Sequence, residues 1–248
     1  MVKQNFIVKN LVWIILLTCC LSGCGNKADT YNAEGLNFYN KGKYGEAILK
    51  FQKALELNPN HYDAHFHLGI SYYVTSKIDE AIAELNKAID INPKDPKAHY
   101  NIAFAYVAKE KVSEALPEYR KAIDFFAAKK DKREAEGYLY MAVAYSLIEK
   151  YDEAFAACKK SIELNPQTED GHYFLGVCYY KKNRFDDALV AFKKVVEINP
   201  KSEKAHSLLF VIYDKLGRTE EATEEDRINK QLAQERRIKG FGEISPKK

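Results

Sequence analysis

His65-Phe66-His67-Leu68-Gly69-Ile70-Ser71-Tyr72 and His172-Tyr173-Phe174-Leu175-Gly176-Val177-Cys178-Tyr179 carry His, Leu, Gly and Tyr at the same four places. The likeness extends in both directions. Setting Ala47, Ala81, Ala115, Ala154, Ala188 and Ala222 in one column gives steps of 34, 34, 39, 34 and 34 residues. Nine places before each Ala stands an aromatic: Phe38, Tyr72, Tyr106, Tyr145, Tyr179 and Tyr213. Twelve places before it are Gly35, Gly69, Ala103, Ala142, Gly176 and Phe210. Four of the units close with Asn-Pro, at Pro59, Pro93, Pro166 and Pro200. One unit is therefore repeated six times, with one five-residue insertion.

Within a unit the apolar residues recur every three or four places, from Asp63 to Val74 and again through Ala81, Ile82, Leu85, Ala88 and Ile89, which predicts two helices. Acids such as Asp79 and Glu80 suit the first turn of the second helix, and Asn-Pro stops it. A Gly or Ala lets paired helices approach closely, and the aromatic fills the space beyond their contact. The columns resemble the tetratricopeptide repeat, whose pattern runs W-x2-L-G-x2-Y, A-x3-F and P at a 34-residue period. The resemblance implies an all-α, right-handed α-α superhelix whose first helices line a concave wall. The expected organisation is repeats over 28–61, 62–95, 96–129, 135–168, 169–202 and 203–236, with the insertion at 130–134 and a disordered tail at 237–248. Ala127 stands in the third repeat where Pro is expected, which predicts a longer second helix there. Asp226 and Asn229 give the sixth repeat a charged outer face, as suits the end of a solenoid.

Lys3 and Lys9 precede the apolar run Leu11–Leu17, the order of a secretory signal, and the run is short for a membrane span. Leu21-Ser22-Gly23-Cys24 resembles the lipobox of bacterial lipoproteins. That resemblance implies a signal peptide over 1–23, lipidation of Cys24 as the mature amino terminus, and a short tether over 24–27. Several acyl chains on one cysteine hold a protein on a membrane stably. Gly25 in place of an acid implies, by the same resemblance, the periplasmic face of an outer membrane.

Positions 5, 9 and 12 of the first helices form a stripe rotated from the packing stripe: Phe66, Ile70, Tyr73; Tyr100, Phe104, Val107; Leu139, Val143, Ser146; Tyr173, Val177, Tyr180. Eleven of these twelve are apolar or aromatic, which points to a protein-binding groove for an amphipathic helix or extended peptide of an envelope protein. The competing reading is that neighbouring helices cover the stripe. Asn32, Leu36, His67, Lys97 and Asn101 lack the full set of a carboxylate clamp. By architecture the chain is similar to outer-membrane tetratricopeptide lipoproteins, pilus pilotins among them.

Basic residues number 38 and acidic ones 35, and losing residues 1–23 lowers the net charge from +3 to +1, so no nucleic-acid partner is expected. No Walker loop, HExxH, GxSxG or nucleotide fingerprint is present, so neither an enzyme, a cofactor nor a small-molecule substrate is expected. Two other readings remain open. His61, His65 and His67 have metal-compatible spacing, and Cys158 and Cys178 are buried thiols that adjacent repeats could bring together, so a metal- or thiol-dependent activity is one. A self-associating structural solenoid is the other.

Overall fold

The computed structural model describes the backbone of residues 27–242 and the side chains of residues 27–236; the signal segment, Cys24 and the first part of the tether lie outside the described residues. The described residues form helices joined by turns, and strands are absent among them. In order these are α1 (27–40), α2 (Tyr44–Leu57), α3 (Tyr62–Val74), α4 (Ile78–Ile91), α5 (Pro96–Ala108), α6 (Val112–Ala128), α7 (Arg133–Leu147), α8 (Tyr151–Leu164), α9 (Glu169–Lys181), α10 (Phe185–Ile198), α11 (Glu203–Lys215) and α12 (Thr219–Gly242). The chain divides between Phe125 and Phe126 into two compact units, where repeat regularity alone suggests one body. The division falls in α6, which at 17 residues exceeds the 14 of α2, α4, α8 and α10.

Within each unit successive helices pack on one another, and the first helices of neighbouring hairpins also touch, α3 on α5 and α7 on α9. The glycine column sets this closeness. A Cβ on Gly69 would stand 2.7 Å from Leu85 Cγ, and one on Gly176 would stand 2.8 Å from the Phe192 ring, so only hydrogen fits. In the first unit Phe66, Leu85, Ala88, Ala98 and Ile102 form one buried cluster, and Ala47, Ile48, Phe51 and Leu68 another. In the second unit the core joins Ala188, Leu189, Phe192, Leu209, Ile212, Tyr213 and Ala222.

Each turn from first to second helix passes through one left-handed residue: Gly42, Ser76, Glu110, Glu149, Asn183 and Gly217, at the repeat period. The next residue, Lys43, Lys77, Lys111, Lys150, Arg184 or Arg218, donates its backbone N–H to the carbonyl of the column aromatic at 2.8–3.0 Å. This is the Schellman closure of a helix carboxyl end. Its basic side chain can then lie over the same aromatic, as Arg184 does on Tyr179 at 4.7 Å and Arg218 on Tyr213 at 4.8 Å. Lys130 repeats the device once more, where the insertion ends α6.

The carboxyl end differs from expectation. Helix α12 runs through Gly242, so the stretch 237–242 is helical rather than a disordered tail, and residues 243–248 lie outside the described residues. The run Gln231–Lys239 consists mostly of strong helix formers, which a single Gly240 does not outweigh.

Candidate protein-binding face

Each unit presents its own part of the predicted stripe, on α3 and α5 in the first and on α7 and α9 in the second. In α3, Phe66 is 7% exposed, stacks on Tyr62 at 5.9 Å and belongs to the core, while Ile70 packs against that core and Tyr73 is half-buried. In α5, Tyr100 and Phe104 meet edge to face at 4.9 Å, and both rings lie within about 6 Å of the buried Tyr119 of α6. Val107, one turn further on, is half-buried. In α7, Leu139 is 6% exposed and Val143 half-buried, and the Ser146 hydroxyl donates to the Val143 carbonyl at 2.7 Å. In α9, the Tyr173 ring lies 5.7 Å from Phe192 and the Tyr180 ring 5.6 Å from Phe185. Tyr173, Val177 and Tyr180 all rest on the core of the second unit.

The stripe thus does two jobs. At position 5 Phe66 and Leu139 are buried, whereas Tyr100 and Tyr173 and the residues at positions 9 and 12 keep partial access to solvent, and none of the twelve is fully exposed. Burial pushes the Tyr173 phenol up, and the nearby Asp170 adds to it, so this hydroxyl stays a neutral donor at the rim.

The polar groups beside the stripe are held by their own helices. His67 Nδ1 lies 2.7 Å from the Asp63 carbonyl and Asn101 donates to the Lys97 carbonyl at 2.8 Å, while Asn32 is buried. Burial holds the His67 imidazole below its ordinary value.

The histidines tell a different story from the metal reading. His61 Nδ1 caps α3 by accepting from the Ala64 N–H at 3.3 Å, and its Nε2 faces Asp29 at 3.1 Å. His65 belongs to a column: His65, His99, His172 and His206 each place Nε2 2.9–3.0 Å from the carbonyl of the proline that closes the preceding repeat. Three of them also place Nδ1 2.5–2.6 Å from a second-helix carboxylate 19 residues on, Glu84, Glu118 or Glu225; His172 has Ala191 at that place. His61, His65 and His67 therefore have separate duties, and among the described residues no group of three His, Cys, Asp or Glu is placed to hold a metal. The carboxylate column escaped sequence reasoning, although its spacing of 19 from the histidines is there to be read. Cys158 and Cys178 are both buried free thiols. No helix among the described residues is long and apolar enough to cross a membrane.

Family models of the tetratricopeptide repeat match residues 32–96, 75–126, 135–168 and 169–202. A TPR repeat-containing protein of Borreliella burgdorferi is 50% identical over 42 residues, which span 17% of this chain and 18% of that protein. Among solved structures, PilF of Pseudomonas aeruginosa superposes with a TM-score of 0.71 at 18% identity, covering 85% of this chain and 93% of its own. PilW, a widely conserved type IV pilus biogenesis factor, gives 0.72 at 18% identity over 81% and 90% of the two chains. YrrB, a TPR protein with an unusual peptide-binding site, gives 0.60 at 23% identity over 71% and 88%. At these identities the likeness speaks for the fold. Stacked hairpins, glycine contacts, column aromatics and matched family models agree: this chain belongs to the tetratricopeptide repeat family, an all-α solenoid fold that serves as a scaffold for binding proteins or peptides.

Proposed function

We propose that the protein is a membrane-anchored, non-catalytic scaffold that seats segments of cell-envelope proteins on the first-helix faces of its repeats, and so assembles or positions an envelope complex. The observation that carries this reading is the half-buried state of positions 9 and 12, an apolar row that a purely structural helix could have made polar. Rings already fixed by their own hairpins lose little freedom when a partner covers them, which favours binding. The match of PilW and PilF in fold, and the peptide-binding site of YrrB, support the direction of the reading. The lipobox-like Leu21–Cys24 supports the anchor.

The test places charge at half-buried positions of the stripe. Tyr73→Glu with Val107→Glu in the first unit, and Val143→Glu with Tyr180→Glu in the second, should keep the helical circular dichroism of the native chain. In cells, a photoreactive residue at Tyr100 captures the partner for identification, and the purified partner then binds native protein but not one or both double variants. Binding that survives both pairs of charges would remove the face from the proposal. For the anchor, cells fed an alkyne analogue of palmitate should label the native chain and not Cys24→Ser.

A further inference from the structure

We infer that Cys158 and Cys178 form a redox-active thiol pair, whose oxidation to a disulfide bolts the fourth hairpin to the fifth. This goes beyond scaffolding and does not depend on the binding face.

Cys158 sits in α8 and Cys178 in α9, two helices that pack on each other in the second unit, and the two buried thiols are near enough that each is the strongest influence on the other's titration. The repeat explains why they meet. Cys158 occupies the second-helix place held by Phe51, Leu85, Tyr119 and Phe192 in other repeats. The place 20 residues further on, in the following first helix, holds Ser71, Ala105, Cys178 and Ile212. Phe192 and Ile212 share one buried cluster, so these two columns face each other across successive hairpins. Elsewhere the first column holds a large Phe, Leu or Tyr side chain. At this junction alone both are sulfur.

The two thiols are unequal. The neighbouring Cys158 thiol, with the nearby charge of Lys182, holds the Cys178 thiol below its ordinary value against the effect of burial, while Cys178 and burial together push Cys158 up. Cys178 is thereby the nucleophile, and it also keeps a trace of surface, 2% against 0%. With a hydroperoxide as oxidant, the Cys178 thiolate attacks one peroxide oxygen, the O–O bond breaks, and water leaves, giving a sulfenic acid. Cys158 sulfur then attacks that sulfenic sulfur; the S–S bond forms, the S–O bond breaks, and the hydroxyl departs as water with the Cys158 proton. Two thiols give up two electrons and two protons, and one hydrogen peroxide becomes two waters.

The test treats the folded full-length chain, after reduction and desalting, with equimolar hydrogen peroxide, then blocks remaining thiols with N-ethylmaleimide in denaturant. Tryptic peptides 151–159 and 161–181 should be recovered joined, two hydrogens lighter than their sum. Dithiothreitol should separate them again. The joined form should melt about 5 °C or more above the reduced one, and Cys178→Ser should yield no joined peptide and leave Cys158 fully alkylated. Recovery of both peptides alkylated and separate, joining of either to Cys19, Cys20 or Cys24, or joining only after the chain is unfolded would each overturn the inference.

Discussion

His99 shows how one side chain fastens three pieces of backbone. Its Nε2–H donates to the Pro93 carbonyl at 2.9 Å, and its Nδ1 meets Glu118 at 2.6 Å. A carbonyl oxygen only accepts, as does an ionised carboxylate, so both ring nitrogens carry protons. The Glu118 hydrogen bond raises His99 above the ordinary 6.5 despite burial. For Glu118 burial pushes up, but the hydrogen bonds from His99 and Lys121 bring it below the ordinary 4.5. The signs give a window. A raised histidine contributes stability that is present below 6.5 and is lost as pH rises through its folded value. A lowered carboxyl contributes stability that is present above 4.5 and is lost as pH falls through its folded value. The clasp is therefore strongest between about 4.5 and 6.5. Thermal unfolding across pH should show Glu118→Gln closest to native outside this window and most destabilised inside it, by about 1.5–3 kcal/mol for loss of a charged hydrogen bond. The histidines of this column recur at the repeat period and are visible in the sequence. Its carboxylate partner lies across a turn, where helical periodicity relates nothing to it.

At the level of helices and turns, the glycine column and the left-handed column make opposite predictions. Gly69→Ala or Gly176→Ala drives a methyl into Leu85 or the Phe192 ring and should cost about 1–3 kcal/mol, whereas Gly45→Ala meets nothing within 4 Å and should gain up to about 1 kcal/mol from helix propensity. Glu149, at φ 59°, pays a left-handed penalty that Gly42 and Gly217 avoid. Glu149→Gly should therefore raise stability by about 0.5–1 kcal/mol in denaturant titrations, and the same change at Glu136, inside α7, should lower it. Helix pairs, aromatics and small residues were visible in the sequence because packing restricts which residues serve there. The left-handed column was not, because Gly, Ser, Glu and Asn share a backbone angle rather than a chemistry. The signal available was the basic residue that always follows.

For the molecule entire, stability belongs to stacked neighbours, and each stack needs an end. In the second unit that end is α12, which covers the buried Leu209, Ile212 and Tyr213 of α11 and turns a charged face outward. Removing residues 219–248 should lower the melting temperature of the second unit and expose dye-binding apolar surface, measured against the native chain with a hydrophobic fluorophore. The stripe shows where sequence reasoning stops. Its apolar character was evident, but a residue that packs and a residue that binds look alike in one dimension, and only coordinates separated the enclosed Phe66 and Leu139 from the accessible Tyr73 and Val107. The proline–histidine–glutamate clasp carries one last implication. Pro59, His65 and Glu84, like Pro93, His99 and Glu118, span 26 residues, less than one period, so a single copied module brings every partner with it. A gene that gains or sheds one such segment by unequal recombination inherits that fastening intact, and chain length becomes a heritable variable that selection can adjust without redesigning the clasp.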